Sequence, residues 1–148
     1  MADIKPGAIK TPASIVIFGG MGDLAWRKLI PAFYNLYTHG FMPENFAIFG
    51  VHYKDIKESE YEKRMLEGIN KFSRCGKVKK EQWNDFKSKL FSFSGDFTFD
   101  DTYTRLKSKL EANDTSWDTR ATRLFYYSVS PNFIDDISSL YRASDACF

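Results

Sequence analysis

The chain has few of the features that mark specialised protein classes. Of its 148 residues, two are cysteines and two are histidines, and the formal net charge is only +2. Cys75 and Cys147 match no metal-ligand spacing, so we expect reduced thiols, no metal site and a cytoplasmic protein. The small net charge provides no basic field for nucleic acid. No apolar run approaches the ~20 residues that cross a membrane, so we expect no membrane partner.

What the chain does contain is a regular alternation of apolar runs and amphipathic segments, in a length that suits one domain. Strands are predicted at residues 14–18, 46–51, 90–93 and 123–129. Helices are predicted at residues 23–38, 59–72 (with Ser59 as N-cap), 80–90, 102–112 and 133–142, and a loop at 113–122. This alternation predicts an α/β fold, a Rossmann-like, doubly wound, mostly parallel sheet with helices on both faces. We expect a flexible tail at 1–13 and the domain at 14–148.

The first predicted strand stops at a glycine-rich turn that leads directly into a helix. Gly19 permits a tight turn, Gly22 lets a phosphate approach the backbone, and Ala25 is small enough for the helix to pack on the strand. The first amides of a helix have no intrahelical acceptor and lie at the positive end of its dipole. The turn therefore predicts a site for the pyrophosphate of a dinucleotide, and the alternative is an ordinary strand-to-helix turn without a ligand.

The residues after the second predicted strand bear on which dinucleotide is preferred. An acidic residue at this point favours NAD, whereas a basic residue accommodates the 2′-phosphate of NADP. The segment reads His52-Tyr53-Lys54-Asp55. His52 and Lys54 would favour a phosphate and Tyr53 could stack on adenine, while a solvated loop is the alternative. These residues leave open whether NADP or NAD is the cofactor.

Four stretches of the sequence, taken in order, resemble glucose-6-phosphate dehydrogenases. The first is residues 16–31, Val-Ile-Phe-Gly-Gly-Met-Gly-Asp-Leu-Ala-Trp-Arg-Lys-Leu-Ile-Pro, and the others are residues 36–45, 46–50 and 123–131. The similarity runs from about residue 14 to the C terminus. It also accounts for Pro31, because the family's signature has a proline at this point of its first helix.

The resemblance implies an oxidoreductase that uses NADP to oxidise glucose 6-phosphate at C1 to 6-phosphogluconolactone, the first step of the pentose phosphate pathway. It implies a homo-oligomer for the full-length enzyme and a contact of Lys28 with substrate and cofactor near the reacting centre. Residues 19–26 would hold the pyrophosphate and residues 129–131 would line the nicotinamide end. The expected cofactor contacts are Gly19, Gly20, Met21, Gly22, Asp23, Leu24, Ala25, Trp26, Tyr53, Lys54, Val129, Ser130 and Pro131.

The sequence departs from the family pattern at two positions and in one large absence. Tyr53 stands where the family usually has an arginine, for which Lys54 is only a partial substitute. Trp26 stands where lysine is common. The family's Glu-Lys-Pro-Phe-Gly and His-Tyr-Leu-Gly-Lys segments are absent, and neither His39 nor His52 suits the role of general base. We therefore expect the cofactor-binding portion of such an enzyme, truncated before the substrate domain and inactive alone.

Two other function classes fit parts of the pattern. A non-catalytic nucleotide-sensing or interaction domain would bind NADP weakly and meet a partner through an exposed aromatic face. A reductase or epimerase would need a Tyr-x-x-x-Lys pair. Tyr103 and Lys107 have this spacing, but we predict that they lie on the solvated face of an exposed helix. An unpaired sheet edge and an uncovered apolar face are expected to make the chain prone to aggregate.

Overall fold

The structure is built on a four-stranded sheet in which every strand runs parallel to its neighbours. The computed structural model describes residues 6–7 and 10–143. The strands are β1 (Ala13–Phe18), β2 (Phe46–His52), β3 (Leu90–Ser94) and β4 (Thr122–Tyr127), in the order β3-β2-β1-β4. The main helices are α1 (Ile30–Thr38), α2 (Glu58–Phe72), α3 (Lys80–Lys87), α4 (Asp100–Ser116) and α5 (Ile134–Ala143). Residues 1–5 and 8–9 of the predicted tail, and Cys147, lie outside the described residues.

Helices cover both faces of the sheet, which confirms the predicted Rossmann-like α/β class. α1, α2 and α3 enclose one core with Ile15 and Ile17 of β1, and α4 and α5 enclose a second core with Val16 and Phe18. Because successive side chains of a strand point to opposite faces, a strand covered on both sides must be apolar throughout. That requirement explains the apolar run of residues 15–18 in β1.

The helix that follows β1 contains a π-helical turn. Helical backbone begins at residue 23, passes through the π-helical turn Ala25–Leu29 and continues as α1, so the predicted helix over 23–38 is confirmed. The amide of Ile30 donates to the carbonyl of Ala25, five residues earlier. Pro31 follows directly after this turn, where the wider spacing leaves room for its ring against the preceding carbonyls, although it donates no hydrogen bond to them. The wide turn therefore accommodates the proline without breaking the helix.

The start of α2 differs from the prediction. The helix begins at Glu58, Lys57 occupies the N-cap position, and no side chain caps the helix. The predicted N-cap at Ser59 is therefore wrong. Glu58 and Glu60 lie in the first turn instead, where negative charge is favoured by the helix dipole.

α4 is longer than the sequence predicts. It continues to Ser116, so residues 113–116 are helical and not part of a loop. The carboxylate of Asp114 accepts hydrogen bonds from the backbone N–H of Ala121 at 2.9 Å and from Nη2 of Arg123 at 2.8 Å. This attachment to β4 overrides the weak helix propensity of the polar residues around it.

Tyr103 lies in the core and not on a solvated helix face. Its side chain is fully buried, and its hydroxyl donates to the carbonyl of Phe97 at 2.7 Å. Burial raises the pKa of this hydroxyl. The predicted exposure is therefore wrong for Tyr103, and the side chain holds the loop after β3 in place. Within the described residues, no helix is both long and apolar enough to cross a membrane.

Candidate functional site

The glycine-rich turn is fastened to the two strands that flank β1. Gly19 has a φ of +86°, and a Cβ atom built on it would lie 2.0 Å from the carbonyl oxygen of Ser128, just after β4. On the other side, the amides of Gly19 and Gly20 donate to the carbonyl of Val51 in β2 at 2.9 and 3.0 Å. Only glycine fits at position 19, because a Cβ atom would clash with the backbone of Ser128. Any other residue would also have a strained backbone at this φ.

A second glycine contact brings the turn close to β2. A Cβ atom on Gly20 would lie 2.3 Å from Cα of Gly50. A Cβ atom on Gly50 would in turn lie 2.3 Å from the hydroxyl oxygen of Tyr61, which α2 places over the strand. The turn therefore packs directly on β2, and β2 packs directly on the ring of Tyr61, with no side chain of Gly20 or Gly50 between them. This packing fixes where the first helix starts.

A cavity of about 710 Å³ opens beside this turn, at the carboxyl edge of the sheet. Every strand contributes to it through residues at its end or soon after it. The lining residues are Gly19, Met21 and Gly22 after β1; His52, Tyr53 and Lys54 at the end of β2; Asp96 and Phe97 after β3; Val129, Ser130 and Phe133 after β4; and Arg64 from α2. Because the chain winds to one side of β1 first and then crosses to the other, β1 and β4 form the topological switch point. Open α/β sheets bind their ligands at that point.

Seven of the residues predicted to contact a cofactor line this cavity. They are Gly19, Met21, Gly22, Tyr53, Lys54, Val129 and Ser130. Gly20 is buried in the turn, and Ala25 is buried beneath it, as its small side chain suits. Pro131 begins a short 3₁₀ turn (Pro131–Phe133) directly after the lining.

The residues at the start of the first helix are not among those that line the cavity. Asp23 is exposed and pairs with Arg27 across 3.6 Å. Leu24 is 46% exposed. Trp26 packs on α2, where its Nε1 donates to the carbonyl of Arg64 at 3.1 Å and its ring lies against Phe72 with centroids 5.0 Å apart. The structure therefore gives Trp26 a packing role between the two helices.

Lys28 lies in a different groove from the turn. It is exposed on the first helix, and with Arg27, His39, Arg74 and Cys75 it lines a basic groove of about 870 Å³ along α1. The structure does not bring Lys28 into the lining of the cavity at the carboxyl edge. His39 lies at the C-terminal end of α1, as predicted, and its Nδ1 lies 2.7 Å from the carbonyl oxygen of Asn35.

His52 does not offer the positive charge that the sequence suggested. It is only 4% exposed, and its Nε2 lies 2.7 Å from the hydroxyl oxygen of Ser92. Burial lowers the pKa of the imidazole, so the ring is neutral near pH 7. The prediction that His52 favours a phosphate is therefore wrong, and Lys54 is the cation at the end of β2.

Four lining residues were not predicted from the sequence. Arg64 sits in the middle of a helix and belongs to no motif, so nothing in its surroundings marked it. Asp96, Phe97 and Phe133 could have been found from the rule that ligands meet residues just after parallel strands. Asp96 is held by Thr98, whose amide and hydroxyl donate to its Oδ1 at 2.8 and 2.6 Å, and these hydrogen bonds lower the pKa of the carboxyl.

Comparison with known proteins agrees with this architecture. Residues 16–146 match the family described as glucose-6-phosphate dehydrogenase, NAD binding domain. Glucose-6-phosphate 1-dehydrogenase of Chlamydia muridarum is 33% identical over 126 residues, which is 85% of this chain and 25% of that protein. The enzyme of Leuconostoc mesenteroides is 30% identical over 129 residues, 87% of this chain and 26% of that protein. The chain thus spans about a quarter of the length of these curated relatives.

Solved structures share the fold. A glucose-6-phosphate dehydrogenase in complex with its substrate glucose-6-phosphate superposes with a TM-score of 0.82 at 24% identity, covering 93% of this chain and 28% of that one. The enzyme from Mycobacterium avium gives a TM-score of 0.76 at 25% identity, covering 90% of this chain and 27% of that one. With the family match extending over nearly the whole chain, the protein belongs to the glucose-6-phosphate dehydrogenase family and represents its NAD(P)-binding domain.

Proposed function

We propose that this chain binds NADP in the cavity at the carboxyl edge of the sheet. It would act as the coenzyme domain of an oxidoreductase that converts glucose 6-phosphate to 6-phosphogluconolactone. The observation that carries the proposal is the convergence of residues from all four strand ends on one cavity beside a glycine-rich turn. This arrangement at a switch point is the one that dinucleotide-binding folds use, and family membership supplies the class of reaction.

The lining suits the separate parts of a dinucleotide. The pyrophosphate is assigned to the turn that contains Gly19 and Gly22 and to the start of the helix that follows it. Because the amides of Gly19, Gly20 and Gly22 already donate to backbone carbonyls, the phosphate oxygens are assigned to the amides that follow Gly22 in the first turn of this helix. The adenosine is assigned to Tyr53 and Lys54 at the end of β2. The nicotinamide, which accepts a hydride when bound, is assigned to Val129 and Ser130.

The chain alone is proposed to bind coenzyme without transferring hydride. A general base must reach the C1 hydroxyl proton of the sugar, and neither histidine of this sequence is suited to that task. His39 is committed to the carbonyl of Asn35, and His52 is buried against Ser92. In a longer protein with a substrate domain, Lys28 would contact the substrate. We assign that protein to the pentose phosphate pathway in the cytoplasm and expect it to be a homo-oligomer.

The first test is a calorimetric titration of the chain with NADP⁺ and then with NAD⁺. We expect saturable binding that Gly22→Val weakens by about tenfold or more, because the new side chain would occupy the space of the phosphates. Gly76→Ala is the matched control, since this glycine lies away from the cavity with nothing within 4 Å of an added Cβ. Failure of the folded chain to bind either nucleotide would contradict the proposal. Formation of NADPH from glucose 6-phosphate by the chain alone would contradict its inactivity.

One observation favours a second function. Leu124, Tyr126 and Tyr127 of β4 are 45%, 41% and 37% exposed. Such a surface suits a non-catalytic nucleotide-binding domain that meets a partner chain. Weak binding of both nucleotides, together with stable association of a partner at β4, would favour this alternative.

A further inference from the structure

An arginine on α2 reaches the cavity beside the end of β2. Arg64 lines the cavity together with Tyr53 and Lys54. In dinucleotide-binding folds this end of the second strand meets the adenosine ribose, and an arginine nearby accommodates a 2′-phosphate. Tyr53, 74% exposed, has a phenol and no guanidinium or amine, so the residue after the strand supplies no cationic group. We infer that Arg64 binds the 2′-phosphate and makes the cavity prefer NADP over NAD.

Trp26 fixes the position of Arg64 at both ends of the residue. The guanidinium carbon lies 4.9 Å from the centroid of the Trp26 ring, a cation–π distance. The Nε1 of the same indole donates to the backbone carbonyl of Arg64 at 3.1 Å. A guanidinium held in this way loses little conformational freedom when it binds an anion, so binding is pre-organised.

The guanidinium of Arg64 has an N–H donor without an acceptor among the described residues. Its Nε is buried and has no hydrogen-bond partner within the described part of the chain. The salt bridges seen among those residues do not include Arg64. A buried donor without an acceptor is costly, and a phosphate oxygen is the acceptor that a guanidinium binds best, through two parallel hydrogen bonds.

The charges of the lining favour a phosphate at this end of the cavity. Lys54 and Arg64 are positive and Asp96 is negative, which leaves an excess of positive charge. The Oδ1 of Asp96 already accepts two hydrogen bonds from Thr98. Asp96 opposes Arg64 in the choice of coenzyme, because a carboxylate prefers the free 2′-hydroxyl of NAD.

The inference rests on the proposed function, and titrations of the chain with NADP⁺ and NAD⁺ test it. We expect Arg64→Gln to weaken NADP⁺ binding by about tenfold or more while NAD⁺ affinity changes less than about twofold. Arg64→Lys should retain part of the preference, because lysine keeps the charge without the bidentate geometry. Lys71→Gln is the matched control. Lys71 lies on the same helix with its Nζ 5.6 Å from the centroid of the Trp26 ring, outside the cavity lining, so both affinities should stay unchanged.

The possible results distinguish the role inferred for Arg64 from the proposed binding of coenzyme by the chain. An equal loss of affinity for both nucleotides in Arg64→Gln, at an unchanged thermal midpoint, would show a general role and overturn the inference while coenzyme binding stands. Unchanged affinities would also overturn it. If the unmodified chain binds neither nucleotide, both the inference and the proposed function fail.

Discussion

At the scale of single residues, two features of the structure require glycine at position 19. The first is its φ of +86°, and the second is the carbonyl oxygen of Ser128, which would lie 2.0 Å from an added Cβ atom. We predict that Gly19→Ala lowers the free energy of unfolding by about 3 kcal/mol or more, since strain and a backbone clash add. Gly76→Ala introduces only backbone strain, because Gly76 has a φ of +72° and no atom lies within 4 Å of an added Cβ. This variant should lower the free energy of unfolding by about 1 kcal/mol. Urea denaturation measures both, and equal losses would refute the part assigned to Ser128.

His52 gives the chain a pH dependence whose sign follows from its burial. Because burial lowers the pKa of the folded imidazole, the unfolded chain binds a proton first as the pH falls. Stability is therefore complete above the unfolded pKa of about 6.5 and decreases as the pH falls below it. We expect the stability difference between the unmodified chain and His52→Gln to shrink between about pH 7.5 and about pH 5.5 in urea denaturation. A difference that stays constant, or grows, over this interval would contradict the lowered pKa.

At the scale of elements, the sequence predicts the sheet and its helices well where local pattern and burial agree. β1 and β2 are buried on both faces and stand out as apolar runs, and the helix over 23–38 continues through the π-helical turn. The C-terminal part of α4 could not be predicted, because its stability comes from Asp114 contacting residues that follow the helix. Arg64 could not be predicted either. Its role depends on how α2 is rotated against Trp26, which no local pattern records.

The attachment of α4 to β4 predicts a large effect from one carboxylate. Asp114 and Arg123 form a pair at 2.8 Å whose side chains are 16% and 7% exposed. We expect Asp114→Ala to cost about 3 kcal/mol, because it leaves buried donors without this acceptor. Asp101→Ala removes a pair of the same length with Arg105, whose side chains are 75% and 46% exposed, and should cost at most about 1 kcal/mol. Thermal or urea unfolding compares the two variants, and similar costs would argue against the role of burial.

At the scale of the whole molecule, the helices on one face of the sheet leave part of β4 exposed. Leu124 and Tyr126 of β4 are in register with Ile15 and Ile17 of β1, so they belong to the face that carries α1, α2 and α3. They remain 45% and 41% exposed because those helices pack over β1, β2 and β3. β4 also lies at the edge of the sheet, where unpaired backbone groups invite another strand.

An uncovered apolar strip along an edge strand predicts concentration-dependent self-association of this chain. We expect the double variant Leu124→Lys and Tyr126→Lys to suppress it, because charge on an edge strand opposes strand pairing. Leu36→Lys is the matched control, since Leu36 is 43% exposed but lies on α1 away from β4. Analytical ultracentrifugation over a range of concentrations distinguishes the variants. If the unmodified chain is monomeric at every concentration, β4 does not drive self-association and the prediction is wrong. If Leu36→Lys suppresses association as strongly as the double variant, total apolar exposure governs association and β4 has no special part in it.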